Sequence, residues 1–203
     1  EIAPSDWSSD VCSSDLVLFV TLEMTHGEAG VRFRKILGEE QYLNTAANIF
    51  FQKNDELSWK SIDGLVRKAK EEAECELVVI DHLHYFTREV QNVADELGNI
   101  TKELKKNAIR HQLPIILISH TRKAPDSHTR KTGINDLRGS SYIAQDADIV
   151  LMVERNLKEF PNDIIVTLEK NRNRYGCKVG TSYHFEFREL KVIEPARNSR
   201  FGT

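Results

Sequence analysis

The sequence predicts an α/β fold, in which a mostly parallel β-sheet is covered by helices on both faces. Continuous apolar segments, which suit buried strands, alternate with segments whose apolar residues recur every three or four positions, as in amphipathic helices. The chain of 203 residues, 40% of them hydrophobic, is long enough to bury one sizeable core. No apolar run approaches the roughly 20 residues that a membrane-spanning helix needs, so we expect no membrane partner.

The first half of the chain shows the clearest alternation. Residues 17–22, VLFVTL, predict a buried strand, and Thr25 and Glu28 have the spacing of a capping box at the start of a helix. A second helix is predicted over residues 58–73 and a second strand over residues 77–81, LVVID. Because helices intervene between these strands, we expect the strands to pair in parallel.

The second half begins with a long helix and then contains mostly strands. The helix is predicted to end near residues 112–114, and its apolar stripe comprises Val93, Leu97, Ile100, Leu104 and Ala108. The next strand is predicted over residues 115–119, IILIS. Further strands are predicted over residues 149–153, 164–168 and 183–187, with fewer helices between them.

Charge and cysteine content restrict the kinds of partner and compartment. The net charge is −3, so any nucleic-acid contact must come from a local basic patch rather than from the whole surface. Cys12, Cys75 and Cys177 are odd in number and lack the spacing of a metal site. This usage indicates a reducing compartment, and we expect the cytoplasm.

The first sixteen residues do not resemble the rest of the chain. They are rich in Ser and Asp, and residues 6–16, DWSSDVCSSDL, match the translation of a common sequencing-library adapter. We therefore expect residues 1–16 to be non-native and disordered, and native sequence to begin at about Val17. The predicted domain covers residues 17–195, and residues 196–203 form a tail.

Polar residues follow three predicted strands where ligands bind in open parallel sheets, outside the carboxyl ends. They are Glu23, Asp81 and the pair Ser119-His120. Asp81 ends an aliphatic strand, as a carboxylate that holds Mg²⁺ through water does, and Glu23 could polarise a water molecule for attack on a phosphate. His120 could sense that phosphate. Taken alone, Asp81 could instead cap the next turn, and Glu23 could be a solvated residue at a strand end. His120 alone could be a hydrogen-bonded histidine that lines a crevice.

A long basic segment separates the strands over residues 115–119 and 149–153. Its cations are Arg122, Lys123, Arg130, Lys131 and Arg138, against Asp126 and Asp136. Long loops in compact domains often carry function, and this one suits a phosphate backbone. A solvated surface loop is the alternative.

Two further cations, Lys170 and Arg172, follow a predicted strand in the segment EKNRNRYG. They could stabilise transition-state charge on a neighbouring subunit's nucleotide, or they could belong to a solvated turn. His82 and His84 have no further His or Cys nearby in the sequence, so we discount a metal site there. The sequence contains no GxxxxGK[ST] loop, without which the phosphates of a nucleotide lack their usual cradle.

The order of these motifs resembles the RecA-like motor domain of DnaB-type replicative helicases. The segments are VLFVTLEMT, LVVIDHLHYF, ITKELKKNAIRHQLPIILISH, NDLRGSSYIAQDADIVLMVER and EKNRNRYG. The ISH and DLRGSS forms look closer to the phage primase-helicase and Twinkle branch. The resemblance implies a RecA-like P-loop NTPase core whose Walker A strand, loop and helix precede Val17 and are missing.

The resemblance also implies a role for each matched residue. Glu23 activates the attacking water, Asp81 is the Walker B aspartate for Mg²⁺, and His120 senses the phosphate. Arg138, with backbone groups near Gly139 and Ser140, contacts single-stranded DNA. Lys170 and Arg172 match lysine and arginine fingers that act on the neighbouring subunit.

The sequence therefore favours a fragment of a hexameric, ATP-dependent replicative DNA helicase that moves along single-stranded DNA, with a primase as a possible partner. Without Walker A, this chain is expected to be inactive on its own. If a phage encodes the protein, the host cytoplasm is its location. Two alternatives stay open: a RecA-like ATPase of the RadA or KaiC type, and a non-catalytic protein that binds single-stranded nucleic acid.

Overall fold

The computed structural model describes residues 16–52, 58–87, 91–121, 133–137, 140–155, 163–173, 178–186 and 192–195. The chain divides into two compact units. The first unit comprises residues 1–89 and 103–119, and the second comprises residues 90–102 and 120–203.

The first unit contains a parallel sheet of four strands in the order β2-β1-β3-β4. The strands are β1 (Val17–Thr21), β2 (Ile49–Phe51), β3 (Leu77–Asp81) and β4 (Ile115–Ile118). Helices α1 (His26–Leu37) and α2 (Glu39–Thr45) lie between β1 and β2 in the chain, and α3 (Ile62–Glu71) lies between β2 and β3. Helix α4 (Val93–Arg110) precedes β4. Short 3₁₀ helices cover Ala46–Asn48, Trp59–Ser61 and Leu83–Thr87.

Alternation along β1 divides its side chains between the two faces of this sheet. Phe19 meets Phe33 of α1 edge-on, with ring centroids 5.4 Å apart, so α1 covers one face. Leu18 and Val20 project to the opposite face, where they are buried. Right-handed crossovers place α3 on that opposite face. Each fully buried aliphatic side chain there contributes about 1.5–3 kcal/mol.

The order of the strands creates a switch point between β1 and β3. The chain leaves β1 towards β2 on one side, and it leaves β3 towards β4 on the other side. A crevice forms at the carboxyl ends of two neighbouring strands whose connections diverge in this way. The first unit therefore presents a ligand-binding position beyond Thr21 and Asp81.

The second unit contains an antiparallel sheet in the order β5-β6-β7-β8. Its strands are β5 (Ile149–Glu154), β6 (Asp163–Asn171), β7 (Ser182–Glu186) and β8 (Val192–Pro195). Helix α5 (Ser140–Asp146) directly precedes β5, and a 3₁₀ helix covers Ile134–Asp136. An isolated antiparallel bridge joins Thr121 and Leu137, so the two ends of the intervening loop meet.

The structure confirms the α/β class and every strand that the sequence predicts, with ends that differ by at most three residues. The parallel arrangement applies to β1 to β4 only. The connections between β5, β6, β7 and β8 span residues 155–162, 172–181 and 187–191, and a parallel crossover needs about a dozen residues or more. The helix predicted over residues 58–73 begins as a 3₁₀ turn and ends at Glu71. Helix α2 and strands β2 and β8 were not predicted.

Residues 1–15 and 196–203 lie outside the described part of the chain, so the predicted domain limits stay predictions. Among the described residues, no helix has the length and apolarity to cross a membrane.

Candidate functional site

The carboxyl ends of β1 and β3 bring predicted site residues together. Thr21 and Asp81, the last residues of these strands, are register partners, and the Leu22 N–H donates to the Asp81 carbonyl oxygen over 2.7 Å. The buried Thr21 Oγ1 donates to the Met24 carbonyl oxygen over 3.0 Å. This local turn keeps the segment after β1 beside the end of β3, and Glu23 lies within it.

Glu23 lies next to a histidine from the neighbouring strand. Its Oε2 atom is 3.3 Å from Nδ1 of His82, which directly follows β3. The Glu23 side chain is 50% exposed, whereas that of His82 is 8% exposed. A half-exposed carboxylate can reach a bound ligand, and the buried imidazole beside it restricts where that carboxylate can turn.

Asp81 and Glu23 supply the oxygen donors that a magnesium ion prefers. Asp81 is partly exposed at the carboxyl end of β3, and Glu23 follows the adjacent strand. Mg²⁺ keeps several of its waters and commonly takes only one or two protein carboxylates. This pair of strand ends therefore offers carboxylates that fit a hydrated magnesium ion.

His120 follows β4, the strand next to β3, by two residues, and its side chain is exposed. The preceding Ser119 is partly buried, and its Oγ atom has no hydrogen-bond partner among the described residues. A strand exit with an exposed imidazole is compatible with the predicted role of His120, which stays a prediction.

Lys170 and Arg172 contact the carboxyl end of α5 in the second unit. Lys170 Nζ donates to the carbonyl oxygens of Ala144 and Gln145 over 2.6 and 3.1 Å. Arg172 Nη2 donates to the Gln145 carbonyl oxygen over 2.7 Å, and Arg172 Nη1 lies 3.2 Å from Asp148 Oδ1. The two cations thus share one anchorage at the carboxyl end of α5. Their predicted action on a neighbouring subunit's nucleotide stays a prediction.

All but one of the residues predicted to contact DNA lie outside the described part of the chain. They are Arg122, Lys123, Arg130, Lys131, Arg138 and Gly139. Ser140 is the first residue of α5. Their contact with DNA stays a prediction.

Sequence reasoning missed two residues of these sites. His82 was weighed only as a metal ligand, because its proximity to Glu23 depends on the register between β1 and β3. Asp148 was not singled out, although it directly precedes a strand and follows a helix, where a carboxylate can bind a cation from the neighbouring strand.

Comparison with known proteins identifies a family that matches most of the chain. The family model described as "DnaB-like helicase C terminal domain" matches residues 22–191. A probable plasmid replicative DNA helicase from Chlamydia muridarum (strain MoPn / Nigg) is 27% identical over 191 residues, which cover 83% of this chain and 42% of that protein. The chain spans 26% to 42% of the length of the four chlamydial relatives compared with it.

Two solved structures show the same fold. One is a DnaB-like replicative helicase, described together with its interactions with primase; its TM-score is 0.71 at 21% identity, covering 88% of this chain and 50% of that one. The other is a KaiC-like protein from the hyperthermophilic archaeon Pyrococcus horikoshii OT3, with a TM-score of 0.62 at 15% identity, covering 88% and 74%. At these identities the likeness concerns the fold alone.

Proposed function

The chain belongs to the family of DnaB-like helicase C-terminal domains, and from this premise we propose that it is part of the motor of a hexameric, ATP-dependent replicative DNA helicase. The observation that supports the proposal most directly is the pair of strand ends at the switch point. Two neighbouring parallel strands end so that Glu23, Asp81 and His82 converge at the carboxyl edge of the sheet. Phosphate chemistry on an α/β sheet needs carboxylates at that edge.

The proposed reaction is the hydrolysis of ATP. The Glu23 carboxylate accepts a proton from water as the water oxygen bonds to the γ-phosphorus, and the bond from that phosphorus to the β–γ bridging oxygen breaks to release ADP. Asp81 would hold Mg²⁺ through water, and the bound ion would neutralise charge on the phosphates. His82 keeps the Glu23 carboxylate at the end of β1.

The proposal assigns Lys170 and Arg172 to the nucleotide of the neighbouring subunit, where they stabilise charge in the transition state. Single-stranded DNA binds the basic loop and the Arg138–Ser140 segment through its phosphate backbone, without a base sequence being read. His120 reports the state of the phosphate to this loop. The next residue, Thr121, forms an antiparallel bridge with Leu137, which precedes Arg138. A primase partner and a cytoplasmic location belong to the same proposal.

The first experiment is to sequence the locus across the codons for residues 6–16. The proposal expects native codons there for a strand and a GxxxxGK[ST] loop, and the present sequence contains no such loop motif. If the adapter-like codons are genomic and no such loop lies upstream, the ATPase proposal fails, and a non-catalytic role in binding single-stranded nucleic acid becomes the better account.

The second experiment tests Glu23 in the complete protein. A general base accelerates a reaction by about 10²- to 10⁴-fold, so Glu23→Gln should lower the ATPase rate in the presence of single-stranded DNA by at least about 10²-fold. Nucleotide affinity should stay within about twofold, since the amide keeps the size of the side chain. The matched control is Glu40→Gln, which changes an exposed glutamate on α2. Retained hydrolysis, or loss of nucleotide binding, would contradict the role of Glu23.

An ATPase of the RadA or KaiC type is the second candidate, because the KaiC-like protein has the same fold. The two candidates differ in unwinding. A complete protein that hydrolyses ATP in the presence of single-stranded DNA yet never separates a forked duplex would support the second candidate over the helicase.

A further inference from the structure

The carboxyl end of α5 is held by side chains from another element. The last carbonyl groups of a helix have no partner within the helix and need donors from elsewhere. The Ala147 N–H donates to the Ile143 carbonyl oxygen over 3.1 Å. The next two carbonyl oxygens, of Ala144 and Gln145, accept from Lys170 and Arg172. The partial negative charge at this end of a helix also attracts cations.

Asp148 holds Arg172 through both its main chain and its side chain. The Arg172 N–H donates to the Asp148 carbonyl oxygen over 2.8 Å, and Arg172 Nη1 lies 3.2 Å from Asp148 Oδ1. Together with the Nη2 contact to Gln145, these contacts fix the chain and the plane of the guanidinium. A guanidinium has five donors in a rigid fork, so the contacts of Nη1 with Asp148 and of Nη2 with Gln145 leave donors that can bind an anion as well.

Helix α5 is itself packed against the amino-terminal part of α4. Thr101 Oγ1 donates to Asp146 Oδ2 over 2.8 Å. The Tyr142 ring lies so close to Gly98 that a Cβ added there would be 3.0 Å from two ring atoms. The end of α5 that binds the cations therefore has a defined place within the second unit.

We propose that Asp148 is a positioning residue, which orients Arg172 and, with the α5 carbonyl end, Lys170 for action on the neighbouring subunit's nucleotide. The inference rests on the proposed function, in which these two cations act in trans.

The competing explanation is that Lys170, Arg172 and Asp148 only stabilise the end of α5. The two explanations differ in kinetics. A residue that orients a group for the transition state lowers kcat and leaves KM unchanged, whereas a residue that only stabilises the fold lowers the amount of assembled protein without changing kcat per ring.

The test uses Asp148→Ala and Asp148→Asn in the complete protein, with Asp163→Asn as the matched control at the start of β6. A displaced guanidinium should lower the single-strand-stimulated kcat by about 10- to 100-fold in Asp148→Ala. The loss should be smaller in Asp148→Asn, whose amide oxygen still accepts from Arg172. KM for ATP should stay within about twofold, and gel filtration should show the same ring as the wild type.

Mixed rings provide a readout that a structural role does not change. A Glu23→Gln subunit keeps intact fingers, and an Asp148→Ala subunit keeps Glu23. At an interface where the Glu23→Gln subunit supplies Lys170 and Arg172 and the Asp148→Ala subunit supplies Glu23, both parts of the site are intact. Mixed rings should therefore hydrolyse more ATP than the two variants do when they are assayed separately and their rates are added. Activity equal to that sum, or an unchanged kcat in Asp148→Ala, overturns the proposal.

Arg172→Ala separates this outcome from failure of the proposed function. If Arg172→Ala keeps wild-type kcat, the trans role itself is wrong. If Arg172→Ala loses activity while Asp148→Ala does not, the trans role holds and only the positioning role of Asp148 is wrong.

Discussion

Gly98 is the position where the packing of α5 on α4 can be tested most directly. Its neighbours in the chain are helical, so alanine there gains about 1 kcal/mol of helix propensity. The added Cβ, however, would lie 3.0 Å from Tyr142 Cδ1 and Cγ and 3.3 Å from Cε1. Carbon atoms in favourable contact lie about 3.5–4.0 Å apart, so the ring must move by about 0.5 Å or more.

The gain in helix propensity and the close contact with the ring oppose each other, and their magnitudes decide whether Gly98→Ala stabilises or destabilises the protein. Overpacking a close contact costs about 1–3 kcal/mol, which exceeds or equals the gain in propensity. We therefore expect Gly98→Ala to destabilise the contact between α4 and α5 by about 0–2 kcal/mol. Gly64→Ala in α3 is the matched control, because nothing lies within 4 Å of its added Cβ. That change should stabilise α3 by up to about 1 kcal/mol.

Hydrogen exchange measured by mass spectrometry reports local opening free energies for each helix separately. Amides of α4 and α5 should exchange as fast as or faster than wild type in Gly98→Ala, and those of α3 more slowly in Gly64→Ala. In a Tyr142→Ala background the penalty should disappear, leaving Gly98→Ala stabilising. If Gly98→Ala protected α4 as strongly as Gly64→Ala protects α3 in the presence of Tyr142, the ring would not lie on Gly98 and the reasoning would be wrong.

Two further predictions concern the start of α1 and the basic loop. Thr25→Ala should raise exchange across the first turn of α1 by the equivalent of about 1 kcal/mol, since Thr25 Oγ1 accepts from the Glu28 N–H. The Thr25 N–H and hydroxyl donate to the Glu28 carboxylate and hold the pKa of Glu28 below its ordinary value. The part of the stabilisation that comes from this carboxylate should be full at neutral pH and be lost as pH falls through the lowered pKa. Arg138→Ala should reduce the salt dependence of single-strand binding by about 0.7 in the log–log slope for one lost phosphate contact, and an unchanged slope would remove Arg138 from the interface.

The elements that could be predicted from the sequence are those whose neighbours along the chain decide their structure. The capping box of Thr25 and Glu28 is a local arrangement, and the structure contains it as predicted. Strand β3 has a continuous apolar sequence, which predicts a strand in the interior of a sheet. In the structure β3 lies between β1 and β4. Helix α2 has no buried residue and strand β2 has only three residues, so neither shows a periodic apolar pattern.

Strand β5 shows why an apolar segment does not determine how its strand pairs. Its sequence IVLMV has the continuous apolar character of a strand buried in a parallel sheet, yet it pairs antiparallel with β6. Ile149, Leu151 and Val153 are 57% to 64% exposed, so only alternate residues are buried. The direction of pairing depends on the connection to β6, which the apolar pattern of β5 does not contain.

The contacts that Lys170 and Arg172 make with the carboxyl end of α5 depend on long-range register in the same way. Ile149 is the register partner of Asn171, and continuing this antiparallel pairing by one residue brings Asp148 beside Arg172. Lys170 and Arg172 are two positions apart, so strand geometry directs both to one side, with Asn171 directed to the other. A guanidinium at position 171 would leave the sheet on the face away from the carbonyl end of α5. For both cations to reach the same helix end from one strand, they must be two positions apart in the sequence. Their contacts with Gln145 and Asp148 depend on the pairing of β5 with β6.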